Sequence, residues 1–394
     1  MQPTPEPSPE TAGSSPALEL TFWHSWNGRA AQVLDVLARR YERGHPGVRI
    51  RLEERPAVTL VRDYSEAVAD GGAPQMVLVL SRYLGELAEN RYVLPLNEQR
   101  IDEAVAEIPP GVVDGARIAG RLHSIPLTYD SLVLFYDRRQ VAAPPATLAD
   151  LRSAAPTSAT ETPDRSWGLA YYLSAATTLP YIEAFGGAVW GPDGGVVLDT
   201  EERRPGTLSW LEWLKSLRAD TGAQALDDFG LVHAAIQANR AAATVDWLHR
   251  LPDYQRVWGA DAVGVAALPR PEGDAGVPRT FVLSDLVCIN TVTTAQQRAA
   301  AIDFALYLAS EPAQELLWTR AMRFPAHRDA AVDGAAKDAL AASSGAVPFP
   351  NTIREARAWP LLDEMVRSVL SGSATPSEAL DAAATALRAL PARP

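Results

Sequence analysis

The chain has 394 residues, 47% hydrophobic and 21% charged: the balance of a folded globular protein, and too long for one ordinary core. A formal net charge of −12 repels phosphate backbones and argues against nucleic-acid binding. No apolar run reaches the roughly 18 residues of a membrane span, and the single cysteine, Cys288, excludes an intrachain disulfide and reads as a small buried apolar residue.

Residues 1–16 read MQPTPEPSPETAGSSP, with five prolines. Such a segment predicts an extended, disordered tether. It lacks the basic start and apolar centre of a signal peptide, so it is either an arbitrary tail or the tether left once a lipoprotein signal has been removed. Leu18–Trp23 is rich in β-formers and predicts a strand, with Asn27-Gly28 as a turn. Val33, Leu34, Leu37, Ala38 and Tyr41 have helical spacing over 29–43, and Gly44 and Pro46 end that helix. Next come a strand over 48–52, a helix over 60–69, a buried strand over 76–80 and a helix over 83–89. This β-α-β-α-β run implies a parallel sheet covered by helices.

From Arg121 the register changes, and Leu132–Tyr136 reads as an apolar strand. Residues 142–166 predict a loop around a short helix. Residues 167–260 look mostly helical and hold six of the ten tryptophans. Strands are predicted over 263–268 and over 281–289, the second with a polar interruption at Ser284-Asp285. From Thr294 to Leu390 the pattern is mostly helical. There is no internal repeat.

Familiar catalytic motifs are absent or out of order. Asp228-Phe229-Gly230 and His327-Arg328-Asp329 spell kinase triplets, but in reversed order and without a glycine-rich loop. The histidines at 24, 45, 123, 233, 249 and 327 form no metal-ligand spacing. Gly191–Gly195 reads as a surface turn. A glycosidase needs two carboxylates facing one sugar bond, and Asp130, Glu53, Glu54, Glu183 and Asp246 are candidates among 48 acidic residues.

The aromatic residues are more informative. A sugar has apolar faces and polar rims, so its site needs flat aromatic platforms beside hydrogen-bonding groups. Phe22–Gly28 supplies both after the first strand, Tyr129-Asp130 where the register changes, and Asp246-Trp247 at the end of 241–245. In open α/β sheets, ligands bind beyond the carboxyl ends of strands. Trp210 and Trp213, at helical spacing with Leu211, Leu214 and Leu217, read as core instead.

Three segments carry a family resemblance: LTFWHSWNGRAAQVLDVLARRYERGHPGVRI; IPLTYDSLVLFYDRRQV; and VGVAALPRPEG through FVLSDLVCIN, then AIDFALYLASEPAQELLW and RFPAHRDA. In order and separation they resemble family 1 of the extracellular solute-binding proteins, the carbohydrate receptors of ABC importers, over nearly all of Leu18–Leu390. The resemblance implies a two-lobed α/β periplasmic-binding-protein fold (a Venus flytrap), each lobe a mostly parallel sheet flanked by helices. Lobe one would comprise 17–127 and 278–327, and lobe two 128–277 and 328–394, with the hinge near 126–130 and 268–280. It further implies a secreted, lipid-anchored or periplasmic monomer without catalysis, cofactor or metal, which binds a sugar and hands it to an ABC permease.

Carried over by position, the contacts would be His24, Ser25, Trp26 and Asn27; Ser81 and Arg82; and Tyr129 and Asp130. Lobe two would add Tyr171 (or Tyr172 or Trp190), Asp246, Trp247 and Trp359, with Ser284, Asp285 and Arg323 as weaker members. Arg82 departs from the family pattern. With an aspartate it would equally hold a uronate, a glycerol phosphate or another anionic polyol. A polyamine receptor of the same fold and a glycoside hydrolase are the remaining alternatives.

Overall fold

The computed structural model describes residues 18–153, 167–273 and 275–391. The expected tether and much of the 142–166 loop lie outside these residues.

Two sheets organise the chain. The first has five strands, in the order Val48–Glu54, Leu18–His24, Met76–Leu80, Asp285–Ile289 and Ser124–Pro126. Leu18–His24 runs parallel to both its neighbours, whereas Asp285–Ile289 is antiparallel to both of its own. The parallel part is the β-α-β-α-β run expected from the sequence. Its first helix, Gly28–Gly44, buries Ala30, Val33, Leu34, Leu37, Ala38 and Tyr41, the face set by their 3.6-residue period.

The second sheet has seven strands. Asp130–Asp137 lies at its centre, antiparallel to Ala241–Trp247, Val263–Ala266 and Phe281–Leu283. Beyond Ala241–Trp247 come the parallel strands Trp167–Tyr172 and Ala223–Leu226. The strand alternation divides the cores. Val133 and Phe135 face a core shared with the first sheet, whereas Leu132, Leu134 and Tyr136 face a second one. That second core packs under the helices Arg204–Ala219, Ile353–Ser371 and Pro376–Ala389. Trp210 and Trp213 are buried in it as expected, and Cys288 is buried and free.

Two expectations need correction. Residues 167–260 are not mainly helical, for they contribute three strands. Ala241-Ala242-Ala243 has strong helix propensity, but burial on both faces between neighbouring strands overrides it. The polar interruption at Ser284 is not a blemish in one strand. Phe281–Leu283 belongs to the second sheet and Asp285–Ile289 to the first, so the chain changes sheets at Ser284 and not within 268–280. The chain also crosses between Pro126 and Asp130, and a third time between Ile289 and Val347, where Val347–Pro348 joins the second sheet beside Phe281–Leu283. At the Pro126–Asp130 crossing Thr128 bridges to Pro325, and the Leu127 N–H donates to the Asp285 carbonyl at 2.8 Å.

The accidental kinase triplet has a structural role of its own. The Asp228 carboxylate accepts from the Leu231 N–H at 3.0 Å and caps the helix Phe229–Gln237.

Candidate ligand-binding cleft

Where the two sheets meet, their strand ends surround a cavity of about 410 Å³. From the first sheet come Ser25 and Trp26, after Leu18–His24, and Leu80 and Arg82, at and beyond the end of Met76–Leu80. Thr128, Tyr129 and Asp130 enter from one crossing, and Leu283, Ser284 and Asp285 from another. Ala176, Trp247, His249 and Phe349 line the opposite wall, with Arg323 and Phe324 behind the crossings.

The wall on the first sheet is built on buried reciprocal bonds. The Thr128 hydroxyl donates to Asp285 Oδ2 at 3.0 Å and accepts from the Asp285 N–H at 2.8 Å. Burial raises the Asp285 carboxyl pKa above its usual range; Arg323 and Thr128 oppose that rise. The Arg323 guanidinium lies 3.8 Å from Asp285 Oδ2 and 5.1 Å from the Trp26 ring centroid. A flat indole and a charged group therefore share one edge of the cavity. The Arg82 guanidinium lies 4.6 Å over its neighbour Tyr83 and bonds to that hydroxyl.

On the opposite wall, the Asp130 carboxylate accepts from the His249 backbone N–H at 3.2 Å and meets His249 Nδ1 at 2.7 Å. Aromatic rings continue from this pair. Trp247 lies 6.4 Å from Phe349, which stacks on Trp359 at 4.5 Å. Behind that stack is a second cavity of about 200 Å³, lined by Trp190, Phe281, Leu179, Ile182 and Trp359, with Glu183 and Arg279 paired at 3.1 Å.

Nine of the fifteen residues singled out in the sequence line the cleft: Ser25, Trp26, Arg82, Tyr129, Asp130, Trp247, Ser284, Asp285 and Arg323. The Tyr129 hydroxyl is already committed, donating to the Ser343 carbonyl at 2.6 Å. Six others sit elsewhere. Tyr171 is fully buried and donates to the Thr177 carbonyl at 2.5 Å; strand alternation points it into the second core. Its neighbour Tyr172 packs against Phe229 on the other face. Asp246 accepts from the Tyr254 hydroxyl at 2.5 Å and the Trp247 N–H at 2.8 Å, which fixes the turn that presents Trp247. Burial raises its pKa as well. His24 is buried with Nδ1 3.0 Å from the Trp26 carbonyl, and burial lowers its pKa. Ser81 is buried, its hydroxyl accepting from the Ser284 N–H at 3.3 Å. Asn27 is exposed at the start of Gly28–Gly44. Trp359 lines the second cavity and reaches the cleft only through Phe349.

His249 and Phe349 line the cleft without being foreseen from the sequence. His249 stands two residues after Trp247, and that proximity was its only signal. Phe349 stands beside Pro350, just after the short strand Val347–Pro348, in a stretch that the sequence pattern reads as mostly helical. Among the described residues, no group of three or more His, Cys, Asp or Glu side chains could hold a metal ion, and no helix is long and apolar enough to cross a membrane.

The geometry can be set beside known proteins. The GacH receptor of Streptomyces glaucescens, solved unliganded and with acarbose, aligns with a TM-score of 0.81 at 20% identity, over 95% of this chain and 99% of that one. The maltose/maltodextrin-binding domain of Bdellovibrio bacteriovorus bound to maltotriose gives 0.78 at 22%, over 94% and 99%. These likenesses establish the fold as the expected two-lobed binding-protein architecture. In sequence, a maltotriose-binding protein of Pyrococcus abyssi is 22% identical over 43% of this chain and 37% of its own length. A maltooligosaccharide ABC transporter solute-binding lipoprotein of Streptococcus pneumoniae is 23% identical over 96% of this chain and 90% of its own. Residues 37–343, more than three quarters of the sequence, match the model for bacterial extracellular solute-binding proteins. The chain belongs to that family.

Proposed function

We propose that this protein is the extracytoplasmic receptor of an ABC importer and binds a neutral oligosaccharide of the maltooligosaccharide class in the cleft between its two sheets. The observation that carries the reading is the pairing of aromatic faces with carboxylates from both walls: Trp26 beside Asp285 and Arg323 on one, Trp247 and Phe349 beside Asp130 and His249 on the other. A sugar ring stacks on Trp247 and packs against the narrow exposed edge of Trp26, and hydroxyls donate to Asp130 and accept from Arg82. The maltose- and maltotriose-type ligands named for the relatives and fold neighbours support this class.

Two of the three crossings between the sheets, Pro126–Asp130 and Leu283–Asp285, act as the hinge. Ligand shifts the receptor towards a closed form only by the difference in its affinity for the two states. The closed form is the one presented to the permease. The protein works as a monomer, without catalysis, on the extracytoplasmic side of the membrane.

A thermal-shift screen of maltose, maltotriose, longer maltodextrins, other neutral sugars, uronates and polyol phosphates tests the reading. A rise of several degrees with a maltooligosaccharide is expected. A response to anionic ligands alone would favour the second reading. Its basis is Arg82, an exposed guanidinium at the cleft with no ion-pair partner among the described residues.

A further inference from the structure

His249 and Asp130 meet at the end of the ladder between two neighbouring antiparallel strands, where Trp247 lies opposite Leu132. Both face the cleft, with about a fifth of the Asp130 side chain and nearly half of that of His249 accessible (21% and 46%). His249 bonds each carboxylate oxygen once, through its backbone N–H to Oδ1 and through Nδ1 to Oδ2. An ionised carboxylate accepts at about four positions, so this clamp fixes the group and leaves lone pairs free.

We propose that His249 is a positioning residue for the ligand: it holds Asp130 so that the free lone pairs receive ligand hydroxyls, and its proton makes binding strongest at low pH. The inference rests on the oligosaccharide reading of the cleft.

Because Nδ1 is bonded to a carboxylate, it carries hydrogen in both protonation states, and Nε2 is the nitrogen that titrates. Burial alone would lower the imidazole pKa, but the charge and hydrogen bond of Asp130 outweigh it. Asp246, at the end of the strand that precedes His249, acts in the same direction as Asp130, and Arg250, in the same turn, acts against it. The net result is a pKa above the ordinary histidine value. Asp246 is itself bonded to Tyr254, and Arg82, Arg323 and Asp285 share the cavity.

With the ring charged, the pair is neutral overall and costs little further desolvation when a ligand covers it. With the ring neutral, Asp130 is a net negative charge, and covering it costs more. The proton is therefore held more tightly in the complex than in the free protein. Affinity is full below the free-state pKa and declines as the pH rises through the raised value, by at most about tenfold per pH unit.

Calorimetry with maltotriose from about pH 5.5 to about pH 9 reads this directly. The expected wild-type result is an affinity about three- to tenfold lower at the high end. His249→Asn places an amide near the Nδ1 position but cannot titrate, so its profile should be flat. A flat wild-type profile, or an equal slope in His249→Asn, overturns the proposal. If no oligosaccharide binds at any pH, the reading of the cleft fails and not the clamp. The clamp is then tested by NMR titration of the His249 ring. A pKa above the ordinary histidine value that drops in Asp130→Asn supports it. A pKa unmoved by Asp130→Asn contradicts it.

Discussion

The two carboxylates that face the cleft are held in opposite ways. Asp285 is buried, tied in both directions to Thr128 and backed by Arg323, so its bonds are spent inside the protein. Asp130 is partly accessible and tied to one histidine in the opposite wall. Burial turns the first into part of the frame that joins the two sheets. Accessibility leaves the second able to meet a ligand. Two acidic residues in one cavity are therefore not interchangeable, and the difference lies in how many of their lone pairs the protein has already filled.

This contrast can be broken by substitution. The largest effect is expected from Asp285→Ala, which leaves the Thr128 hydroxyl and the Arg323 guanidinium without the carboxylate they share. A loss of about 1–3 kcal/mol in stability should appear as a lower midpoint in denaturant, and an unchanged midpoint would remove Asp285 from the frame. Asp130→Ala should do the reverse: folding nearly as in the wild type, with oligosaccharide affinity reduced about tenfold, or about 1.4 kcal/mol, by calorimetry. If stability falls and affinity does not, the two roles have been exchanged. Tyr171→Phe removes only a buried hydroxyl from the second core, so about 1 kcal/mol of stability should go while affinity stays, and a loss of binding would return Tyr171 to the cleft. Trp359→Leu should be the mildest. It unstacks Phe349 without uncovering the first wall, a change of about 0.5–1.5 kcal/mol at most and so a few-fold weaker binding by calorimetry.

Much of the first wall could be read from the sequence because strand and site are continuous there. Trp26 comes within two residues of the opening strand, and Arg82 within two of the buried run 76–80. The rule that ligands gather beyond the carboxyl ends of strands then suffices. The second wall is assembled from distant pieces: a turn after Ala241–Trp247, the segment at Phe349 and the crossing at Asp130. There, one residue of register decides whether a tyrosine faces ligand or core, and Tyr171 fell on the core side. The strand 241–247 was legible at its aromatic-polar end, Asp246-Trp247, while its alanine-rich body also fitted the helical reading of 167–260. Ser284 was visible as a polar break in an apolar run, but only the pairing on either side shows that the chain changes sheets there.

The central claim is that the cleft between the sheets is the ligand site, and a crystal structure of the protein with maltotriose tests that most directly. The expected result is the sugar lying between Trp26 and Trp247, with hydroxyls bonded to Asp130 and the Asp130–His249 pair intact. A sugar seated instead in the apolar cavity behind Trp359, with Asp130 untouched, would contradict it.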